Sequence, residues 1–191
     1  DPIVLLDVGA RDGIGREWKA LGDQIRVYAF EPDAEECRRL AAAAPTNLTY
    51  IPRAIGRARG KQALYQTVHP ASTGLYKGRM EYMGRLLNRD NAVTIAESVV
   101  DVVSLDDFAA EYNVPAVDFV KLDVEGAELE ILEGATRLLQ GTAPLGIVSE
   151  VRFQEEINGS PPFSVLDGFL RFLAAILADD GVLPGADFWT V

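Results

Sequence analysis

Several short apolar runs along the chain end abruptly in polar residues. "IVLLDV" (residues 3–8), "IRVYAFE" (25–31), "VDFVKLDV" (117–124) and "LGIVSEV" (145–151) are nearly continuous rather than alternating. That pattern predicts core strands covered on both faces. Between them the period changes. Residues 14–21 predict a helix, and "PDAEECRRLAAAAP" (32–45) predicts another, with Asp33 at its start, Glu36 three residues on as a capping-box partner and Pro45 as a stop. "LTYIPRAIG" (48–56) and "KQALYQTV" (61–68) predict further strands, and "VVDVVSLDDFAAEY" (99–112) a strand followed by a helix. "EGAELEILEGATRLL" (125–139) predicts one amphipathic helix whose stripe runs Leu129, Ile131, Leu132, Ala135, Leu138 and Leu139. Residues 70–98 break the rhythm, with Gly, Ser, Asn and Arg around Met80, Tyr82 and Met83, and predict a helical or irregular insertion. "FSVLDGFLRFLAAILADDG" (163–181) predicts a last amphipathic helix, and "DFWTV" (187–191) one remaining strand.

Strands alternating with helices predict an α/β fold: a doubly wound, mainly parallel sheet with helices on both faces. At 191 residues and 48% hydrophobic content the chain is expected to form a single domain, residues 1–191, with the insertion at 70–98 as a substrate lid. No apolar run reaches the roughly 18 residues of a membrane span, so no membrane partner is expected. The net charge of −11 argues against nucleic acid and anionic lipid alike. The single cysteine, Cys37, excludes an intrachain disulfide and reads as a buried small apolar residue. It fits a reducing compartment, and the expected location is cytoplasmic. The chain opens on Asp1 rather than Met, which leaves a preceding targeting segment open.

Ligands of doubly wound sheets sit beyond the carboxyl ends of the strands. Those ends carry Asp7 with Gly9 and Gly13, then Glu31, then Arg53 to Ile55, then Lys121 with Asp123 and Glu125, then Glu150. Gly9, Gly13 and Gly15 lack the G-x-G-x-x-G spacing of a dinucleotide turn, and so many acids have the wrong sign for a pyrophosphate. A cationic, hydroxyl-rich ligand suits them better. S-adenosylmethionine has a ribose, an amino acid end and a sulfonium, and carries no phosphate.

"LLDVGARDGIG", "VYAFEPDAEECRRL" and "VDFVKLDVEGAELEILEGATRLL" together resemble the FkbM family of S-adenosylmethionine-dependent methyltransferases, over about residues 3–150. The resemblance implies the class I methyltransferase Rossmann-like fold and methyl transfer to a hydroxyl oxygen of a small molecule such as a sugar or secondary metabolite. It assigns Asp7, Gly9 and Gly13, with the neighbouring Ala10 and Arg11, to the turn around the methionine part of the cofactor. Glu31, followed by Pro32, matches the acid that holds the ribose hydroxyls. Ala54 and Ile55 match the adenine wall, and Asp123 the position beside the transferred methyl. Arg11 stands where the family often has Asn, and a guanidinium could there grip the cofactor's carboxylate. The final hairpin usual in the family is scarcely represented.

Methyl transfer from a hydroxyl needs a group to take the proton, and Asp123, Glu125, Glu150 and His69 are the candidates, with Asp123 favoured. Lys121 is a second catalytic candidate, through lowering a nearby acid's pKa or holding an acidic substrate group; a structural ion pair is the alternative. Asp123, Glu125, Glu128 and Glu150 could also present oxygens to Mg²⁺, which is not favoured, and no metal ligand is assigned. Glu125 and Glu128 also suit a helix N-terminus for purely local reasons. His69 before Pro70 reads more readily as a loop residue, and Ser72 and Thr73 as turn hydroxyls, although the family tends to carry serines there facing the cofactor. A nicotinamide-dependent oxidoreductase and an inactive cofactor-binding module remain the alternatives. The acceptor and the oligomeric state are not legible.

Overall fold

A computed structural model describes residues 1–86, 89–114 and 116–179 of the chain. Its central sheet is five parallel strands, ordered β3 (Leu48–Ile51), β2 (Ile25–Phe30), β1 (Ile3–Val8), β7 (Phe119–Leu122) and β8 (Gly146–Ser149). The chain builds outward from β1 to β3, then returns to the other flank of β1. The direction therefore switches between β1 and β7, where such sheets open a ligand crevice.

The continuous apolar runs are explained by two cores. Pleating sends Val4, Leu6 and Val8 to one face, where they join Phe30, Val120 and Leu122. That face is covered by α4 (Leu105–Tyr112), α5 (Glu128–Glu133), α6 (Thr136–Thr142) and α7 (Phe163–Asp179). Leu5, Ile25, Val27 and Ala29 form the smaller core on the other face, with Trp18 of α1 (Arg16–Lys19) packed against it. On β3 packs α2 (Ala34–Ala41). Asp33 caps α2 as expected, accepting from the amides of Glu35 and Glu36 at 3.0 and 3.2 Å.

Five expectations change. The helix at 14–21 shrinks to α1 and a 3-10 turn at Gly22–Gln24, because glycines flank so short a segment. "LTYIPRAIG" is two strands: Pro52 supplies no amide to a ladder, and β4 (Ala54–Ile55) leaves the central sheet for a second one, ordered β4, β6 (Thr94–Val103) and β5 (Gly60–Thr67). β6 starts at Thr94, since its polar first half is held by antiparallel pairing to β5 rather than by burial. The insertion therefore ends before residue 94, and it contains α3 (Met80–Met83) between two 3-10 turns. "EGAELEILEGATRLL" breaks into α5 and α6 at Gly134, where a Cβ would lie 2.6 Å from the carbonyl oxygens of Gly56 and Arg57. The β4 turn packs too closely there for a continuous helix with side chains. Finally, β8 borders only β7 among the described residues, so "LGIVSEV" is a half-exposed edge strand rather than a core one. The strand expected at "DFWTV" lies outside the described residues. No described helix is long and apolar enough to cross a membrane.

Candidate active site

A cavity of about 190 Å³ opens at the carboxyl ends of β1, β2 and β7. Gly9, Arg11, Glu31, Pro32, Ala54, Ile55 and Asp123, all expected at the site, line it. Asp7, Ala10, Gly13 and Lys121, also expected at the site, do not line it. Ala10 is buried in the smaller core, and the site around Gly13 faces Tyr50 rather than the cavity. Gly9 shows why glycine stands at the switch point. Its φ is +86°, and a Cβ there would lie 1.9 Å from the carbonyl oxygen of Asp123. Without that side chain the turns after β1 and β7 touch, which brings sequence-distant acids to one rim.

Asp7 and Lys121 are register partners in adjacent strands, so they share a face. The Lys121 ammonium donates to the Gly9 carbonyl at 3.0 Å and lies 3.2 Å from Asp7 Oδ1 and 3.3 Å from Asp123 Oδ2. The approach to Asp7 is off the hydrogen-bond direction, so buried Oδ1 pairs with a charge but has no donor. Burial pushes the Asp7 carboxyl up to about 6, against the pull of Lys121. Lys121 is thus tied between two strand ends.

Glu31 is buried, and its Oε1 accepts from the Asp33 amide at 2.8 Å. That bond replaces the expected return from Glu36, which pairs with Arg39 instead. The helix start therefore orients the acid on the cavity wall. Burial raises the Glu31 carboxyl above its ordinary range, opposed by the Asp33 amide and Arg11. Arg11 Nη1 sits 3.8 Å from Glu31 Oε1 and 3.6 Å from Asp33 Oδ2, so its guanidinium turns toward the acids at the end of β2.

The largest surprise is Arg152, just past β8. Its Nη2 bonds Glu125 Oε2 at 2.6 Å and Glu150 Oε2 at 2.7 Å, and its Nη1 lies 3.6 Å from Glu128 Oε1. Three of the four carboxylates considered for Mg²⁺ thus surround a guanidinium. No described cluster of His, Cys, Asp and Glu is placed to hold a metal ion. Glu128 also accepts from the Gly126 amide at 3.2 Å, a local role at the start of α5. Burial pushes Glu125 up to about 7, with Arg152 opposing and Glu150, Asp123 and Glu128 adding to the rise. An Arg two residues after Glu150, at a strand end full of acids, was the available signal.

Of the remaining candidates, His69 is exposed and lines neither the main cavity nor a neighbouring one of about 50 Å³. Thr73 lines the first and Ser72 the second. Backbone bonds between Tyr65 and Gly74 tie that loop to β5, and Gly74 packs on Glu125. Sequence reasoning missed the contribution of Gly74, Leu64 and Val124 to the wall because none carries a chemical signature.

The chain is similar to known methyltransferases. The 2-O-methyltransferase NoeI of Sinorhizobium fredii is 26% identical over 182 residues, covering 87% of this chain and 70% of that protein. The hexuronic acid methyltransferase AglP of Haloferax volcanii is 31% identical over 141 residues, covering 72% of this chain. The chain spans only about half (52%) of AglP's length. The crystal structure of methyltransferase FkbM from Methylobacillus flagellatus KT aligns with a TM-score of 0.44 at 21% identity, over 75% of this chain and 31% of that one. The profile of the methyltransferase FkbM domain matches residues 7–177, nearly the whole chain, from the acid at the foot of the first glycine turn to the last described helix. The protein belongs to the FkbM methyltransferase family.

Proposed function

We propose that this protein transfers the methyl group of S-adenosylmethionine to a hydroxyl oxygen of a sugar-type small molecule. The observation that carries the cofactor assignment is Glu31: a buried carboxylate, fixed by the Asp33 amide, on the wall of a crevice floored by Gly9. Such an acid suits the two hydroxyls of a ribose. Asp7 supports the same crevice indirectly, because it pairs with Lys121, whose ammonium holds the Gly9 carbonyl of the crevice floor. In this reading Ala54, Ile55 and Pro32 line the adenine end. When bound, S-adenosylmethionine supplies an activated methyl on a sulfonium.

The names of the relatives, a 2-O-methyltransferase and a hexuronic acid methyltransferase, support oxygen as the nucleophile and a sugar as its carrier. Asp123 stands at the exposed rim of the crevice, and Lys121 holds it against the β1 turn. Much of the rate gain in such a displacement comes from alignment, which a rigid rim provides. The insertion before Thr94 serves as the lid over this rim, within a single domain, and the buried free thiol of Cys37 suits the reducing cytoplasm.

Calorimetry with S-adenosylmethionine tests the reading. The wild-type protein is expected to bind, and Glu31→Ala to lose at least about tenfold in affinity, or 1.4 kcal/mol. Unchanged affinity in a folded variant would remove the ribose assignment. A thermal-shift comparison of S-adenosylhomocysteine with NAD separates this reading from a nicotinamide enzyme, for which NAD alone would stabilise.

A further inference from the structure

Glu125 lies where two cavities meet. It lines the 190 Å³ crevice assigned to the cofactor, and it also lines the cavity of about 50 Å³ beneath the insertion. Ser72, Tyr76, Met83, Arg152 and Ile157 are among the other walls of that smaller cavity. Its roof is fastened: Gly78 bridges Ile157, the Arg79 amide donates to the Glu156 carbonyl at 2.7 Å, and the Asn158 amide donates to the Lys77 carbonyl at 2.9 Å. A volume of this size admits the hydroxyl-bearing edge of a ring, not a whole one. The lining mixes hydroxyls and charges with a few apolar contacts, which suits a polyol edge.

We propose that the smaller cavity receives a hydroxyl of a pyranoside acceptor and that Glu125 is the catalytic residue that takes its proton. This deepens, and rests on, the methyltransferase reading above. Arg152, bonded to Glu125 at 2.6 Å, fixes the carboxylate at the boundary between the cavities and is a positioning residue. Glu125 holds this place with a left-handed backbone, φ +58°, unusual for a side chain of its size. Such strain persists only where surrounding structure enforces it. The acceptor O–H bond breaks as its proton passes to the Glu125 carboxylate. The oxygen forms the new O–CH₃ bond, and the S–CH₃ pair stays on sulfur, which leaves as the neutral thioether of S-adenosylhomocysteine. Glu125 then releases its proton to water.

The competing groups are less well placed. Tyr76 shares the cavity, but burial and Glu130 push its hydroxyl up to about 12, so it keeps its proton. Asp123 faces only the larger crevice and is paired with Lys121. A carboxyl that titrates near 7 is poised for proton transfer around neutrality. The groups that face it are Arg152, Glu150, Asp123 and Glu128.

The test uses methyl β-D-glucoside and methyl β-D-glucuronide as probes. In protein labelled at the methyls of its two methionines and loaded with S-adenosylhomocysteine, at least one pyranoside is expected to shift the Met83 resonance and not that of exposed Met80. No shift at Met83 with either overturns the cavity assignment. Formation of S-adenosylhomocysteine from S-adenosylmethionine is then followed with the same probes. In Glu125→Gln, with S-adenosylmethionine held saturating, turnover is expected to fall on the order of 10²–10⁴-fold and the rise in kcat/KM with pH through about 7 to disappear. Glu125→Asp keeps that rise at a reduced rate, which covers the case of a poorly folded Gln variant. No turnover of either pyranoside by wild type, or a pH rise retained in Glu125→Gln, overturns the proton-transfer role. Failure of wild type to bind S-adenosylmethionine fails the underlying cofactor reading instead.

Discussion

Lys121 on β7 and Arg152 just past the neighbouring β8 each stand among several carboxylates, and the two clusters are built for different ends. Lys121 spreads a point charge over one backbone carbonyl and two acids, and the acid behind it, Asp7, is sealed at 1% exposure beneath the glycine turn. Arg152 donates from one nitrogen, Nη2, to both Glu125 and Glu150, and the Glu125 side chain keeps 21% of its surface open. Burial raises both carboxyls, Asp7 to about 6 and Glu125 to about 7. A raised pKa alone therefore does not distinguish a structural acid from a reactive one. Access to a cavity does, and only Glu125 has it.

The comparison can be broken at its stronger point first. Arg152→Met leaves Glu125, Glu128 and Glu150 facing one another without a cation. Urea unfolding is expected to show a loss of about 3 kcal/mol, the scale for removing one partner of a buried ionic cluster. A loss below about 1 kcal/mol would mean that Arg152 is not what holds the acids together. Lys121→Met comes next. It frees the Gly9 carbonyl and lets the Asp7 carboxyl rise further, with an expected destabilisation of roughly 1–3 kcal/mol and weaker S-adenosylmethionine binding by calorimetry. Adding Asp7→Asn should return part of the stability, because the unpaired charge is gone. If the double variant is no better than the single, Lys121 acts through Gly9 alone.

The smallest effect is on pH dependence. Asp7 and Glu125 have folded pKa values above their unfolded ones, so the stability they contribute is present in full below about pH 4 and is lost as pH rises through 6 and 7. The exposed pairs of Glu36, Asp101 and Glu111, whose carboxyls are lowered by Arg39, Lys61 and Arg59, act below that window. Melting temperature should fall by roughly 5 °C between about pH 5 and 8. Glu125→Gln should flatten the upper part of that fall and Asp7→Asn the lower. Identical curves for wild type and both variants would contradict the burial of these carboxyls.

Much of this site was legible because it is local. The acids and glycines at the ends of β1, β2 and β7 follow apolar runs directly, so Gly9, Glu31 and Asp123 could be placed on one rim once a parallel sheet was inferred. The Asp33 cap was legible for the same reason. Its capping box was not, since Asp33's amide turned to Glu31, an acid on the preceding strand end. The breaks at Pro52 and Gly134 depend on a second sheet whose turn packs against α5 and α6, which no periodicity within either segment announces.

What the sequence by itself determined is the buried parallel strands and the acids and glycines at their carboxyl ends, because strand burial and turn chemistry are properties of neighbours along the chain. Tertiary structure alone decided which acids are partnered and which meet open space. Arg152 reaches Glu125 only because β8 lies beside β7, and the smaller cavity exists only because the insertion is pinned to the segment after β8. Charge interactions fall steeply with separation and with solvent, so the role of each carboxylate followed from distances of a few ångströms between residues far apart in the chain.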